Sequence, residues 1–220
     1  MYLFELCGTE ADPRYQSLAI SNADRQFQFL EAIIDTALTS GHQFLSHAIL
    51  KALNFHAIAC LHTHAGEYRP CEVQVKDETG AVRMDGIQQF RVQAAMDQFV
   101  NWSNSLWNVT DHVVLAAMVF WQICRIHPFV NGNGRTARAA CYYVLCVRMG
   151  GRLPGTTFLP TLLKDSPEYL PALRAVDASA NAGMLDLAPL HKLITDLLAV
   201  QMASAALVAG VGDLVLVDPK

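Results

Sequence analysis

The chain has 220 residues, 52% hydrophobic and only 16% charged, so it can bury a sizeable core and is neither disordered nor tail-like. Sixteen lysines and arginines against twenty acids give a formal charge of -4 without a basic stripe, which removes the usual driver of nonspecific nucleic acid binding. The mean hydropathy of +0.23 prompts a search for membrane spans, which need about 20 apolar residues in a row; the nearest stretch, Leu197 to Gly212, is short, Ala-rich and broken by Gln201 and Ser204, and reads as a buried helix.

From the N-terminus, "MYLFELCGTEADPR" has no basic n-region and carries Glu5, Glu10 and Asp12, so it does not read as a signal peptide. A cytoplasmic protein is expected, or one exported as an effector by a signal the sequence does not display. Phe27, Leu30, Ile34 and Ala37 fall at helical spacing ahead of Gly41, and Leu45, Ile49, Ala52 and Leu53 begin a second helical run. "CEVQVKDETGAVRM" breaks the pattern: Val73 and Val75 alternate with polar neighbours, a turn follows over Asp77 to Gly80, and Val82 and Met84 resume. That is a β-hairpin, whose exposed edge suits an extended peptide.

Val92, Met96, Phe99, Trp102 and Leu106 mark the next helix. Thr110 or Asp111 caps a further one, apolar on all sides through Val113, Val114, Ala117, Met118, Phe120, Trp121 and Cys124, which should therefore be central. "TARAACYYVLCVRMGG" continues as a helix stopped by Gly150 and Gly151; Ser166 with Pro167 starts another, and the last begins near Asp186 and Pro189. The six cysteines lack a C-x-x-C pair and are expected to be reduced, and Trp102, Trp107 and Trp121 are expected in the core. The fold class is therefore all-α, one bundle over 1–220 with an inserted hairpin. Helices are expected over about 24–60, the hairpin over about 66–84, the core over about 86–150 and the C-terminal helices over about 165–210.

"HPFVNGNGRTAR", His127 to Arg138, concentrates polar chemistry where one buried helix ends and another begins. Gly132 and Gly134 let the backbone approach a ligand, and the helix starting near Gly134 or Arg135 points free N–H groups and its positive dipole end into the loop. Arg135 and Arg138, three apart, add two forked donors, so the loop suits a polyphosphate, and His127 at its opposite lip suits proton transfer. "HTH" at His62 to His64 has two potential metal ligands but no third at matching spacing, and Tyr142 and Tyr143 read as packing unless a hydroxyl lies near the loop.

This motif resembles the signature of Fic domains: His-Pro-Phe, a variable residue, Asp or Glu, Gly-Asn-Gly-Arg, two variable residues, Arg. "GEYRP" at Gly66 to Pro70 is similar to the family's lead into its target-binding flap, and "YLPALRAVDA" and "DLAPLHKLI" resemble its C-terminal helices. The resemblance implies a Fic-type helical bundle that transfers a nucleoside monophosphate, commonly AMP from ATP, to a hydroxyl of a target protein. Carried over, His127 is the general base; Asn133 with the Gly132 and Gly134 backbone holds the phosphates; Arg135 and Arg138 clamp the outer ones; Phe129 anchors the loop. The flap, Gly66 to Met84, docks the target.

Where the family has its magnesium-holding acid, this chain has Asn131, an amide without charge, so weakly held magnesium is implied. A different phosphate donor and a silent binding module are the alternatives, and Asn131→Asp is expected to raise transfer. The family's inhibitory glutamate follows Ser or Thr by four residues. Here only Glu67, after Thr63, has that spacing, and it lies in the flap lead-in, so Arg138 is expected to be free unless a separate antitoxin-like protein supplies the glutamate.

Overall fold

Asp12 and Pro13 start the longest helix among the described residues, which apolar periodicity detects only in its second half. In the computed structural model, which describes residues 2–76 and 82–213, a short α1 (Leu3–Cys7) precedes α2 (Pro13–Ser40). The Asp12 carboxylate accepts from the Arg14 amide at 2.8 Å, proline occupies the first turn, and Gly41 closes α2 with φ +71°. The buried face of α2 carries Asn22 and Gln26 as well as Tyr15, Leu30, Ile34 and Ala37, and the two amides donate to the Ala59 and Leu53 carbonyls. Polar residues on the core-facing side mask the apolar repeat, so the helix begins well before residue 24.

Ser46 caps α3 (His47–Ile58), whose C-terminal end those amides hold. The strands β1 (Gln74–Lys76) and β2 (Val82–Asp85) pair antiparallel, Gln74 opposite Asp85 and Val75 opposite Met84, with a bulge between Val75 and Lys76. The turn expected over Asp77 to Gly80 lies outside the described residues. After a 3-10 turn, α4 (Val92–Ser105) leads to α5 (His112–Ile126), capped by Asp111 through the Val113 and Val114 amides.

Helices α5 and α6 (Asn133–Met149) pack side by side as the centre of the bundle, and most of their side chains are buried. Helices α2 and α3 pack against α6; α4, α8 (Tyr169–Asn181) and α9 (Ala188–Asp213) pack against α5; α7 (Leu159–Asp165) bridges α6 and α9. α7 is too short to show a period, and Ser166 precedes rather than caps α8, whose N-cap is Glu168. In α9, Gln201 and Ser204 are buried: Gln201 accepts from the Leu159 amide and Ser204 from that of Thr156, so the expected interruptions fasten a loop. Val200 and Met202 are exposed, so α9 is not buried all round. All six cysteines are free thiols; Trp107 and Trp121 are core residues, whereas Trp102 lies partly in solvent. Among the described residues, no helix is long and apolar enough to cross a membrane.

Candidate active site

The loop between α5 and α6 is fixed from within by one side chain. Asn133, 2% exposed, accepts from the Phe129 amide and donates to the Phe129 carbonyl, both at 2.9 Å, closing the loop as a ring. Phe129 is fully buried against Tyr68, which is the anchoring expected of it. Because the Asn133 side chain serves the loop, what the residue offers an anion is its backbone N–H. No side chain caps the first turn of α6, so its N–H groups face the loop as expected.

Gly132, the N-cap, has φ +77°, and a Cβ there would lie 2.7 Å from Ile58 Cγ2 and 3.0 Å from Asn54 Nδ2. Asn54 is the second fastening. Fully buried on α3, it donates to the Asn131 carbonyl at 2.9 Å and to the Thr136 hydroxyl, and accepts from the Gly66 amide at 3.0 Å.

His127 ends α5 in the left-handed region, φ 53°. Its Nδ1 lies 3.4 Å from the Cys124 carbonyl, which can only accept; Nδ1 therefore carries the proton and Nε2 keeps its lone pair. Burial, reinforced by the Arg69 charge, pulls the imidazole pKa from its ordinary 6.5 down to about 4, so the ring is neutral at physiological pH. Arg69 is itself buried. Its Nε donates to the His127 carbonyl and Nη1 to that of Cys71, both at 2.8 Å, while Nη2 donates to that of Ile87. Cys71 and Ile87 flank the β-ribbon, so one guanidinium ties its base to the histidine backbone.

Arg135 donates to the Ala57 carbonyl and to Asn131 Oδ1, both at 2.9 Å. Arg138 lies over the Tyr169 ring and has no carboxylate partner among the described residues. Both arginines border a cavity of about 570 Å³ with Lys164 and an apolar side that includes Ile20, Phe27, Leu30 and Phe158. His127 is not among its lining residues; the cavity adjoins the arginine end of the motif.

One lining residue has no motif to mark it in the sequence. Glu10, from the turn between α1 and α2, accepts from Asn131 Nδ2 at 3.0 Å and lies 3.5 Å from His62 Nε2. His62, joined by Asn131 and the Arg135 charge, outweighs partial burial and holds its carboxyl at about 2.

These residues do not fit a resident hard cation. The Asn131 oxygen that would bind one accepts from a guanidinium, and among the described residues no three His, Cys, Asp or Glu side chains converge. His62 instead meets the Tyr15 hydroxyl at 2.8 Å. Glu67 pairs with Lys51, not with Arg138. Tyr143 donates to the Phe44 carbonyl and Tyr142 bonds Gln201, both buried, so neither hydroxyl serves the loop. Sequence spacing found the contiguous loop but not Glu10, Asn54 or Arg69. Of these, Arg69 lies inside "GEYRP", whereas Glu10 reads only as one of three acids near the N-terminus.

Residues 44–145 match the model of the Fic/DOC family. The protein adenylyltransferase Fic of Drosophila melanogaster is 48% identical over 44 residues, which are 20% of this chain and 9% of that protein; the counterpart in Drosophila willistoni is 43% identical over the same length. The match thus spans under a tenth of these curated relatives. A Fic-domain signalling protein from Bacteroides thetaiotaomicron superimposes with a TM-score of 0.69 at 22% identity, over 93% of this chain and 76% of that one. Residues 134–508 of Fic-1 from C. elegans give 0.67 at 20% identity, over 95% and 57%. At these identities the two establish the fold and nothing finer.

Proposed function

This chain belongs to the Fic/DOC family through the domain at residues 44–145, and from that premise we propose that it is a protein nucleotidyltransferase, moving a nucleoside monophosphate from a nucleoside triphosphate, ATP first among them, to a hydroxyl of a target protein. The observation that carries the reading is the neutral His127, its Nδ1 turned to Cys124 and its Nε2 lone pair unprotonated, on a loop that Asn133, Asn54 and Arg69 hold rigid. The short match to proteins named protein adenylyltransferase Fic supports the donor.

The target oxygen bonds to the α-phosphorus as the bond to the bridging oxygen breaks; pyrophosphate leaves and Nε2 takes the hydroxyl proton. A base with a pKa of about 4 is weak, so it accepts the proton late, once bond formation has made the hydroxyl acidic. The first-turn N–H groups of α6, with Arg135 and Arg138, receive charge on the phosphates, and positioning supplies most of the rate. No step runs through a metal held by the protein. The target docks along the ribbon, and Arg138 is open to a glutamate from a separate inhibitory protein.

Incubating the protein with lysate and ATP labelled at either the α- or the γ-phosphate, beside His127→Ala, tests this. Label on protein from the α position alone, absent in the variant, is expected. Transfer of the γ label would make it a phosphotransferase, and no transfer from any nucleoside triphosphate would leave a binding module.

A further inference from the structure

We propose that Glu10 is the acid of this site, moved off the motif: it holds the Asn131 amide, and through it Arg135, so that an amide at position 131 is what a carboxylate at position 10 requires. The inference rests on the reading of Arg135 as a phosphate clamp.

The geometry has one consistent polarity. Asn131 Nδ2 donates to Glu10 Oε1 at 3.0 Å, Asn131 Oδ1 accepts from Arg135 Nη2 at 2.9 Å, and Arg135 Nη1 donates to the Ala57 carbonyl at 2.9 Å. Reversing the amide would set its oxygen against a carboxylate and its nitrogen against a guanidinium, so the neighbours fix its orientation. Asn131 is thus a neutral connector between an anion and a cation that make no direct pair.

An acid at position 131 would lie about 3 Å from Glu10, and two carboxylates so close do not both ionise comfortably. The same oxygen, Glu10 Oε1, also lies 3.5 Å from His62 Nε2, and His62 is itself bonded to Tyr15, so Glu10 is not free to retreat without loosening that contact. Its ionised form is favoured by all three neighbours. The sequence taken alone implies that Asn131→Asp strengthens the site; with Glu10 in place the opposite is expected. A chain with the acid at 131 and an amide at 10 keeps a donor–acceptor pair between the two side chains and an acceptor for Arg135, the charge merely moved.

The test is a cycle of Glu10→Gln, Asn131→Asp and the double variant, with Glu10→Ala, in the full chain. Three quantities are read: KM and kcat for transfer from α-labelled ATP, equilibrium binding of labelled ATP, and the thermal midpoint. Asn131→Asp alone is expected to raise KM at least fivefold with a smaller change in kcat and to lower the midpoint, while adding Glu10→Gln returns both to within about twofold and a degree or two of wild type. Glu10→Ala, which removes the acceptor, is expected to raise KM more than Glu10→Gln, which retains it. A double variant no better than the two single effects combined overturns the proposal. Should wild type transfer no label, the nucleotidyl reading fails on its own, and the cycle in ATP binding and thermal midpoint still decides the role of Glu10.

Discussion

Gly132 and Gly134 flank Asn133 and look alike in the sequence, yet the structure makes opposite demands on them. Gly132 sits at φ +77° with Ile58 Cγ2 2.7 Å from where a Cβ would be, so Gly132→Ala combines a left-handed alanine with a steric clash. A loss of about 3 kcal/mol is expected in urea denaturation, with transfer abolished. Gly134 has ordinary helical backbone, and its added Cβ would meet the end of Arg138, at 3.3 Å from Nη1, and the Tyr169 hydroxyl at 3.6 Å. Gly134→Ala is expected to hold or raise stability by about 0.5 kcal/mol while weakening triphosphate binding about tenfold, because it crowds the guanidinium. Equal effects on stability and binding at the two positions would contradict this division. The loop was legible because its chemistry is contiguous in sequence. Glu10 was not, since 121 residues separate it from Asn131 and no local pattern marks a lone glutamate before a helix.

At the scale of elements, α5 and α6 were legible because burial on every side writes an apolar signal, whereas α2 hides its first half behind Asn22 and Gln26 and α7 is too short to have a period. The ribbon was legible as alternation, but its tie to His127 was not, because Arg69 acts through backbone carbonyls that no sequence names. Arg69→Met would leave the His127, Cys71 and Ile87 carbonyls without their donor. About 3 kcal/mol of stability is expected to be lost, and kcat to fall more than KM for the nucleotide changes, since the variant releases His127 and not the arginines. The ribbon's part in docking separates from this. Prolines at both Gln74 and Val75 in β1 remove two backbone N–H donors from the ribbon. Transfer to target protein is expected to fall at least tenfold with labelled ATP binding unchanged; weakened ATP binding would show that the ribbon supports the nucleotide site instead.

Across the whole molecule, acid acts on stability and on the proposed reaction at different pH values, and His127 links the two. Its pKa is depressed by burial from 6.5 to about 4, so between these values the unfolded chain binds a proton that the folded chain refuses. Stability from this group is complete above about 6.5 and is lost progressively as pH falls toward 4. The carboxylates act lower. Glu10, held at about 2 by its neighbours, and Asp12, held there by Arg14, contribute stability that is present above about 4.5 and falls away toward 2. Activity follows the folded-state value, so kcat should stay level from pH 8 to about 5 and drop as His127 is protonated near 4, while the thermal midpoint already declines below 6.5. His127→Gln removes the titrating ring; its midpoint is expected to be flatter than wild type between pH 6.5 and 4 and to fall in parallel with it below. Measuring kcat and the midpoint over the same pH series checks this directly. A kcat that falls with a midpoint near 6.5 would mean that the imidazole is exposed to solvent in the working enzyme and that the burial which keeps it neutral is lost when the target binds.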